Sequence, residues 1–169
     1  MKIISTPDLC DEYEGQLRIL APIFTNYGGH HSFSGAIVTI KCFEDNSVLK
    51  QLVDTPGQGR VIVMDGGGSL RKAILGDMLA LKAANNGWSG ILINGCIRDA
   101  AQISEMDVGV FSIGTCPRKS IKKGEGDINV PVAFSGVLFK PGHFLYADED
   151  GIVVCERALS IPSNVTNIR

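Results

Sequence analysis

Residues 76–99 read GDMLALKAANNGWSGILINGCIRD, and this stretch decides the fold. Its first part, Met78–Ala84, consists of good helix formers. Asp77 before this run is a good helix N-cap, and Asn86-Gly87 after it is a good stop signal. The following run, Gly90–Ile97, is short, apolar and rich in Ile and Leu, which is typical of a buried strand. The stretch therefore predicts a helix, then a strand, then an arginine and a carboxylate just past the strand end.

This order of elements predicts a binding site at one edge of the fold. A helix N-terminus attracts anions, and ligands of open α/β layers sit beyond the carboxyl ends of strands. Because a helix runs antiparallel to the strand after it, we expect the amides of Gly76–Leu79 to lie near Arg98 and Asp99. An arginine fork suits a carboxylate or an enolate oxygen, and an aspartate suits a hard divalent cation. The alternative is an ordinary helix cap followed by a surface ion pair, which contributes little to stability.

Composition limits the class of protein. The chain has 169 residues, of which 44% are hydrophobic and 20% are charged, as expected for one globular domain over 1–169 with a loose tail from about residue 160. The net charge of −2 argues against a general nucleic-acid binder. The basic cluster Arg118-Lys119 with Lys122-Lys123 is interpreted as a solvated loop.

The cysteines and the apolar runs indicate a reducing cytoplasm. The five cysteines are odd in number and widely spread, which fits neither a disulfide framework nor a zinc site. The first apolar run, Ile3-Ile4, ends at once in Ser5–Asp8, so no signal peptide is expected. No apolar stretch approaches the ~20 residues that a membrane helix needs, and no membrane association is expected.

The rest of the chain predicts a mixed α/β fold. Thr6, followed by Pro7, is expected to cap a first helix. Alternating apolar residues over Ser34–Cys42 predict a strand, and Asp45-Asn46 a helix cap. Val61–Met64 is a second apolar strand, expected to form a hairpin with Leu70–Leu75. Hairpins are also expected near the C-terminus, so the pattern favours an α/β layer structure with helices between the middle strands.

Three polar motifs have simple structural interpretations. His30-His31 is expected to be a surface pair, because adjacent histidines in an extended loop point apart. Gly66–Gly68 is expected to be a turn; it lacks the Walker ending and the Rossmann spacing, so nucleotide binding is a weak alternative. The acids of Asp148–Asp150 are interpreted as a tight turn rather than a cation site.

Five segments of the chain carry a resemblance to a known family. They are STPDLCD at 5–11, NYGG at 26–29, KCFEDN at 41–46, VMDGGGSLR at 63–71 and YAD at 146–148. In these segments the chain is similar to the regulator of ribonuclease activity A family, which also contains divalent-metal 4-hydroxy-4-methyl-2-oxoglutarate aldolases. The resemblance covers roughly Ser5 to Leu159, and the family's Asp, gap of about twenty residues and Arg-Asp correspond to Asp77, Arg98 and Asp99.

The resemblance implies a swivelling-domain fold, a ring-shaped homotrimer and a set of residue roles. Arg98 would bind the pyruvyl oxygens, Asp99 would ligate Mg²⁺ or Mn²⁺, and Asp77 would hold water on that metal. The substrate carboxylate would be held by the backbone amides of Gly76, Asp77, Met78 and Leu79.

Two functions follow from the resemblance. The first is a class II, metal-dependent lyase that forms pyruvate from 2-oxo acids, by retro-aldol cleavage or by oxaloacetate decarboxylation. Asp99 favours it, since ribonuclease regulators of the family can lack this acid. Longer aldolases carry a C-terminal extension with a further acid that no residue here matches, which favours decarboxylation. The second function is a protein-binding inhibitor of a ribonuclease E-type endonuclease. A methyltransferase finds no support, because no glycine-rich S-adenosylmethionine loop follows a first strand.

Overall fold

The structure is a computed structural model that describes residues 4–161. The expected loose tail falls almost wholly on residues 162–169, outside the described residues. Residues 4–161 contain four short helices, and their bounds are α1 Thr6–Glu12, α2 Ser47–Val53, α3 Asp77–Asn85 and α4 Ala100–Ile103. None of the helices in the described part of the chain is long and apolar enough to cross a membrane.

Twelve strands accompany these helices in the described range. Their bounds are β1 Arg18–Ile19, β2 Thr25–Asn26, β3 Phe33–Lys41, β4 Val61–Asp65, β5 Ala73–Leu75, β6 Gly90–Ile97, β7 Gly109–Thr115, β8 Asp127–Ile128, β9 Val132–Phe134, β10 Val137–Phe139, β11 Phe144–Ala147 and β12 Ile152–Cys155. Ten of them form one sheet in the order β1-β12-β11-β3-β4-β6-β7-β2, with β5 added to β6 and β8 to β3. The mixed α/β class predicted from the sequence is confirmed.

The middle of the sheet is parallel and its flanks are antiparallel. Strands β3, β4, β6 and β7 pair in parallel, whereas β11 and β12 pair antiparallel to their neighbours. The hairpin expected near the C-terminus is confirmed as β11–β12, and β9 and β10 also pair antiparallel. The predicted hairpin between Val61–Met64 and Leu70–Leu75 is wrong, because β4 and β5 do not pair with each other. Both pair in parallel with β6, β4 along Gly90–Asn94 and β5 further on at Cys96-Ile97.

Alternation along the strands separates two hydrophobic cores. On β6, Ile91 and Ile93 face the helices α2, α3 and α4, whereas Leu92 faces the β9–β10 side. The inner strands are buried on both faces, as parallel sheets covered on both sides require. On the β9–β10 side, the Phe33 ring lies over the paired glycines Gly90 and Gly109; a Cβ there would come within 2.3 and 2.1 Å of it.

The N-terminal helix is fastened to the last hairpin through one buried carboxylate. Asp148, only 4% exposed, accepts hydrogen bonds of 2.6 Å from both the backbone N–H and the hydroxyl of Thr6. It also accepts hydrogen bonds from the amides of Asp150 and Gly151, which confirms the interpretation as a turn. Thr6 is thereby the first helical residue, and the cap of α1 is Ser5 rather than the predicted Thr6.

A second buried carboxylate closes the turn before α2. Asn46 is the N-cap but makes no side-chain capping bond; Asp45 instead accepts hydrogen bonds from Ser47. Asp45 also accepts from the amides of Lys123 and Glu125 in the basic loop, at 2.7 and 3.1 Å. Burial by itself raises the pKa of Asp45, but these hydrogen bonds outweigh it and lower the pKa to about 2.

Candidate functional site

The start of α3 lies at the carboxyl end of β5 and supplies one half of the site. The N-cap is Gly76 and not the predicted Asp77, which is the first helical residue. The Asp77 carboxylate accepts a hydrogen bond of 2.8 Å from the Met78 amide, and the Asp77 amide donates one of 3.1 Å to Asp99 Oδ2. The helix that follows ends at Asn86-Gly87 as predicted, with Gly87 in the left-handed region at φ 81°.

The end of β6 supplies the other half. The Arg98 amide donates to the Leu75 carbonyl at 2.9 Å, which extends the β5–β6 pairing and draws the two strand ends together. Asp99 follows in the left-handed conformation, with φ 58° and ψ 38°, and precedes α4. Aspartate tolerates this conformation better than most residues, and such strained positions cluster at functional sites. Helix α4 ends at Ile103.

Gly76 lets the two halves meet. A Cβ at Gly76 would lie 2.9 Å from Asp99 Oδ2 and 3.6 Å from Arg98 Nε, so the missing side chain is space that these two groups use. Arg98 Nε is 3.9 Å from Asp99 Oδ2, and the two side chains are 41% and 32% exposed. The site is therefore open to a ligand, and Asp99 is not sealed in an internal pair.

The amides at the start of α3 differ in availability. Those of Asp77 and Met78 already donate to the two site carboxylates, whereas the Leu79 amide donates no hydrogen bond within residues 4–161. The Leu79 side chain packs in the core, and the Met78 side chain is 74% exposed. A substrate carboxylate bound at these amides would compete with the carboxylates of Asp99 and Asp77 for the amides of Asp77 and Met78.

The donor set fits Mg²⁺ or Mn²⁺ only if most ligands come from elsewhere. Over residues 4–161, no group of three or more His, Cys, Asp or Glu side chains could hold a metal ion. Asp99 uses one carboxylate oxygen for the Asp77 amide and is partly exposed. Since Mg²⁺ commonly binds one or two carboxylates and keeps several waters, Asp99 with water and substrate oxygens is a suitable set.

The glycine-rich loop after β4 is not available for a phosphate. The amides of Gly66 and Gly68 donate to the Asn94 carbonyl, and that of Gly67 to the Asp65 carboxylate. Asp65 also accepts from the Asn94 side chain at 3.0 Å. The loop is thus an internally bonded turn, as the sequence predicts.

The other polar motifs lie apart from the site. His30 is 3.6 Å from the exposed carboxylate of Asp107, and His31 is exposed. All five cysteines are free. Burial raises the pKa of the Cys42 thiol to about 12, and it raises the pKa of Cys96 next to the site as well. These thiols are therefore poor nucleophiles.

Sequence reasoning did not find the contact between the Asp77 amide and Asp99, or the left-handed Asp99. The contact depends on β5 pairing beside β6, and no local pattern signals that pairing. Two cavities, of about 520 and 630 Å³, are lined by other residues of the described part of the chain. The side chains of Arg98 and Asp99 are 41% and 32% exposed, so within one chain the site is open to solvent.

Comparison with known proteins gives a family match over most of the chain. The family model described as "Aldolase/RraA", RraA-like, matches residues 6–154. A protein of Ectopseudomonas mendocina is 59% identical over 157 residues, which is 93% of this chain and 97% of that protein. One of Azotobacter vinelandii is 57% identical with the same coverage. Both carry the name "Putative 4-hydroxy-4-methyl-2-oxoglutarate aldolase".

Two solved structures have the same fold. One, from Geobacillus kaustophilus, is described as an S-adenosylmethionine:2-dimethylmenaquinone methyltransferase; its TM-score is 0.90 at 46% identity, covering 92% of this chain and 97% of that one. The other is described as the RNA-processing inhibitor RraA from Thermus thermophilus. Its TM-score is 0.89 at 38% identity, and it covers 98% of both chains.

Proposed function

Because the chain belongs to the RraA-like family, we propose that it is a divalent-metal-dependent lyase that cleaves 2-oxo acids to pyruvate. The reactions are retro-aldol cleavage of 4-hydroxy-4-methyl-2-oxoglutarate and decarboxylation of oxaloacetate. One observation carries the proposal: the start of α3 meets Arg98 and Asp99, with 3.1 Å between the Asp77 amide and Asp99 Oδ2.

Arg98 is the group that we propose to stabilise the reaction's developing charge. When the bond between C3 and C4 of a 2-oxo acid breaks, its electron pair moves onto the 2-oxo oxygen as a pyruvate enolate. A guanidinium beside that oxygen donates charge-assisted hydrogen bonds that strengthen as the enolate forms. Arg98 is 41% exposed and has its one ion pair within residues 4–161 to Asp99, so its fork can turn to a substrate.

The substrate carboxylate would bind at the amides of Gly76, Asp77, Met78 and Leu79, where the α3 dipole favours an anion. Asp99 would hold the divalent cation directly, and Asp77 through water. When bound, the cation supplies Lewis-acid stabilisation of the 2-oxo oxygen. Substrate binding would free Asp99 Oδ2 from the Asp77 amide, because the two carboxylates compete for that donor.

Decarboxylation makes fewer demands on these residues than aldol cleavage. In retro-aldol cleavage a base must take the proton of the 4-hydroxyl group. In oxaloacetate decarboxylation the bond between C3 and C4 breaks, C4 leaves as CO₂, the same enolate remains, and a proton adds at C3. We therefore expect this protein to decarboxylate oxaloacetate faster than it cleaves the aldol substrate.

We also propose a cytoplasmic homotrimer with its sites near the subunit boundaries. The openness of the site within one chain supports this, since a neighbouring subunit could complete it. Size-exclusion chromatography with light scattering would give the mass, and a monomer with full activity would contradict the proposal.

Pyruvate release tests the lyase proposal directly. The protein is incubated with oxaloacetate or the aldol substrate, with Mg²⁺, Mn²⁺ or a chelator. We expect metal-dependent turnover that is lost in Arg98→Ala and Asp99→Ala, while Arg71→Ala keeps it, because Arg71 is an exposed arginine paired with Glu44. No turnover of the wild type with either metal would refute the lyase.

A second candidate function is inhibition of a ribonuclease E-type endonuclease by direct contact. The similarity to the Thermus RNA-processing inhibitor over 98% of both chains favours it. The test is slowing of RNA cleavage by the purified endonuclease; if Arg98→Ala inhibits as well as the wild type, contact and catalysis are separate. Methyl transfer has less support, because the amides of the Gly66–Gly68 loop are already bonded internally.

A further inference from the structure

A cavity of about 520 Å³ opens at the other edge of the sheet from the candidate lyase site. Its walls are β1, the end of β12 and the turn between β10 and β11. In the sheet order, β12 and β6 are four strand spacings apart, roughly 19 Å at 4.8 Å per spacing. The cavity shares no lining residue with the lyase site, so a ligand there would be a separate one.

Basic side chains dominate this cavity. Arg18, Lys140, Arg157 and His143 line it, against the single acid Glu156. The protein as a whole has a net charge of −2, so the excess of positive charge is local. Within residues 4–161 the two arginines and the lysine form no salt bridge, so these three cations remain available to an anionic ligand.

The backbone that carries these cations is firmly held. Arg18 pairs with Val154 across the β1–β12 ladder. The turn bearing Lys140 and His143 is bonded to β3 through Ile37, whose amide donates to the His143 carbonyl at 2.7 Å. The backbone positions that carry Arg18, Lys140 and His143 are thus fixed before any ligand arrives, which lowers the part of the entropic cost of binding that comes from ordering the backbone.

One of the cations is also held at its side chain. The Arg157 guanidinium donates a 2.8 Å hydrogen bond to the neutral Gln16 side chain. The backbone carbonyl of Arg157 accepts a hydrogen bond from the Cys155 thiol. Gln16 thus orients the arginine without neutralising it.

The lining defines the class of ligand. Apolar contact comes from Leu138, Val154 and Leu159, and no Phe, Tyr or Trp within residues 4–161 lines the cavity. The volume is in the range of small-molecule sites. Arginine forks and a lysine together match a compact group with two or more negative charges. We propose that this cavity binds a small polyanion, either a phosphate ester or a polycarboxylate, at a site distinct from the lyase centre.

Isothermal titration with pyrophosphate and with citrate tests this inference and separates the two sources of charge. The full chain is titrated in metal-depleted buffer of matched ionic strength. We expect saturable binding of at least one probe, one per chain, that weakens as salt is added. In Arg18→Gln/Arg157→Gln the affinity should fall about tenfold or more, since each arginine loses charge-assisted hydrogen bonds.

Two variants show where the probe binds. Lys122→Gln/Lys123→Gln removes the same charge from an exposed loop outside the cavity and should bind as the wild type does. Arg98→Ala should also bind unchanged. The inference fails if neither probe saturates, if the lysine variant loses as much affinity, or if binding is lost in Arg98→Ala instead. Equal thermal unfolding midpoints confirm that each variant is folded.

Discussion

Adding one methyl group at Gly76 should disable the candidate site while leaving the fold intact. Gly76 has φ −130° and ψ −175°, an extended conformation that alanine also adopts, so Gly76→Ala introduces no backbone strain. The new Cβ would lie 2.9 Å from Asp99 Oδ2 and 3.7 Å from Arg98 Cγ. An ordinary contact needs about 3.4 Å or more, so the Asp99 carboxylate has to retreat by roughly half an ångström.

The expected loss follows from that displacement. Asp99 moves away from the Asp77 amide, and its hydrogen bond of 3.1 Å is weakened or broken. Misplacement of a catalytic constellation by about 1 Å can cost about 100-fold in rate. We expect kcat/KM for oxaloacetate decarboxylation to fall about 10- to 100-fold, or about 1.4 to 2.7 kcal/mol. Replacing glycine by alanine as N-cap costs only about 1 kcal/mol of unfolding free energy.

The assay is pyruvate release at varied substrate and Mg²⁺ concentrations, with the thermal midpoint measured beside it. Gly151→Ala is the matched control: it adds the same methyl group in open space, with nothing within 4 Å. Wild-type kcat/KM in Gly76→Ala would refute the reasoning, because Asp99 would then not need its present position. An equal loss in Gly151→Ala would show that the effect is not local.

Three further predictions concern stability and are measured by urea unfolding. Asp148→Asn should lower the unfolding free energy by about 2 to 4 kcal/mol, because a buried acceptor loses charge-assisted hydrogen bonds. Asp150→Asn, at an exposed position, should change the unfolding free energy little. An equal decrease in the two variants would contradict the role of Asp148. Gly109→Ala should lower the unfolding free energy by about 1 to 3 kcal/mol, because the new Cβ would lie within 2.1 Å of an aromatic ring. The control is Gly114→Ala on the same strand, which has 3.7 Å of room and should leave the unfolding free energy nearly unchanged. Folding lowers the pKa of Asp45 to about 2, so the contribution of Asp45 to the unfolding free energy is complete above about pH 4 and is lost as the pH falls towards 2. In Asp45→Asn the unfolding free energy should fall less steeply over this pH range. An unchanged pH dependence of the unfolding free energy would exclude this role.

The sequence predicts α3 and β6 well because their signals are local. Helix formers, a terminal Asn86-Gly87 and an apolar run over Gly90–Ile97 each act within a few residues. The order of these elements was enough to predict that Arg98 and Asp99 lie near the start of α3.

The failures all involve partners that are distant in the chain. The expected hairpin was wrong because β4 and β5 find β6 downstream, and a glycine-rich turn such as Gly66–Gly68 looks the same in either arrangement. The N-cap moved from Asp77 to Gly76, where the space is needed by Asp99, 23 residues further on. Thr6 is helical rather than a cap because its amide and hydroxyl bind Asp148, 142 residues away.

The hydrogen bonds between Thr6 and Asp148 join the first helix to a turn that is made late in the chain. Strand β3 pairs antiparallel with β11, and α1 is hydrogen-bonded to the turn just after β11. Neither β3 nor α1 can therefore make these contacts before the last third of the chain has been synthesised. A nascent chain leaving the ribosome can form α3 early but cannot close its sheet until the residues near 155 have emerged. Closing such large loops is slow, and until then β3 exposes an unpaired apolar edge to other chains.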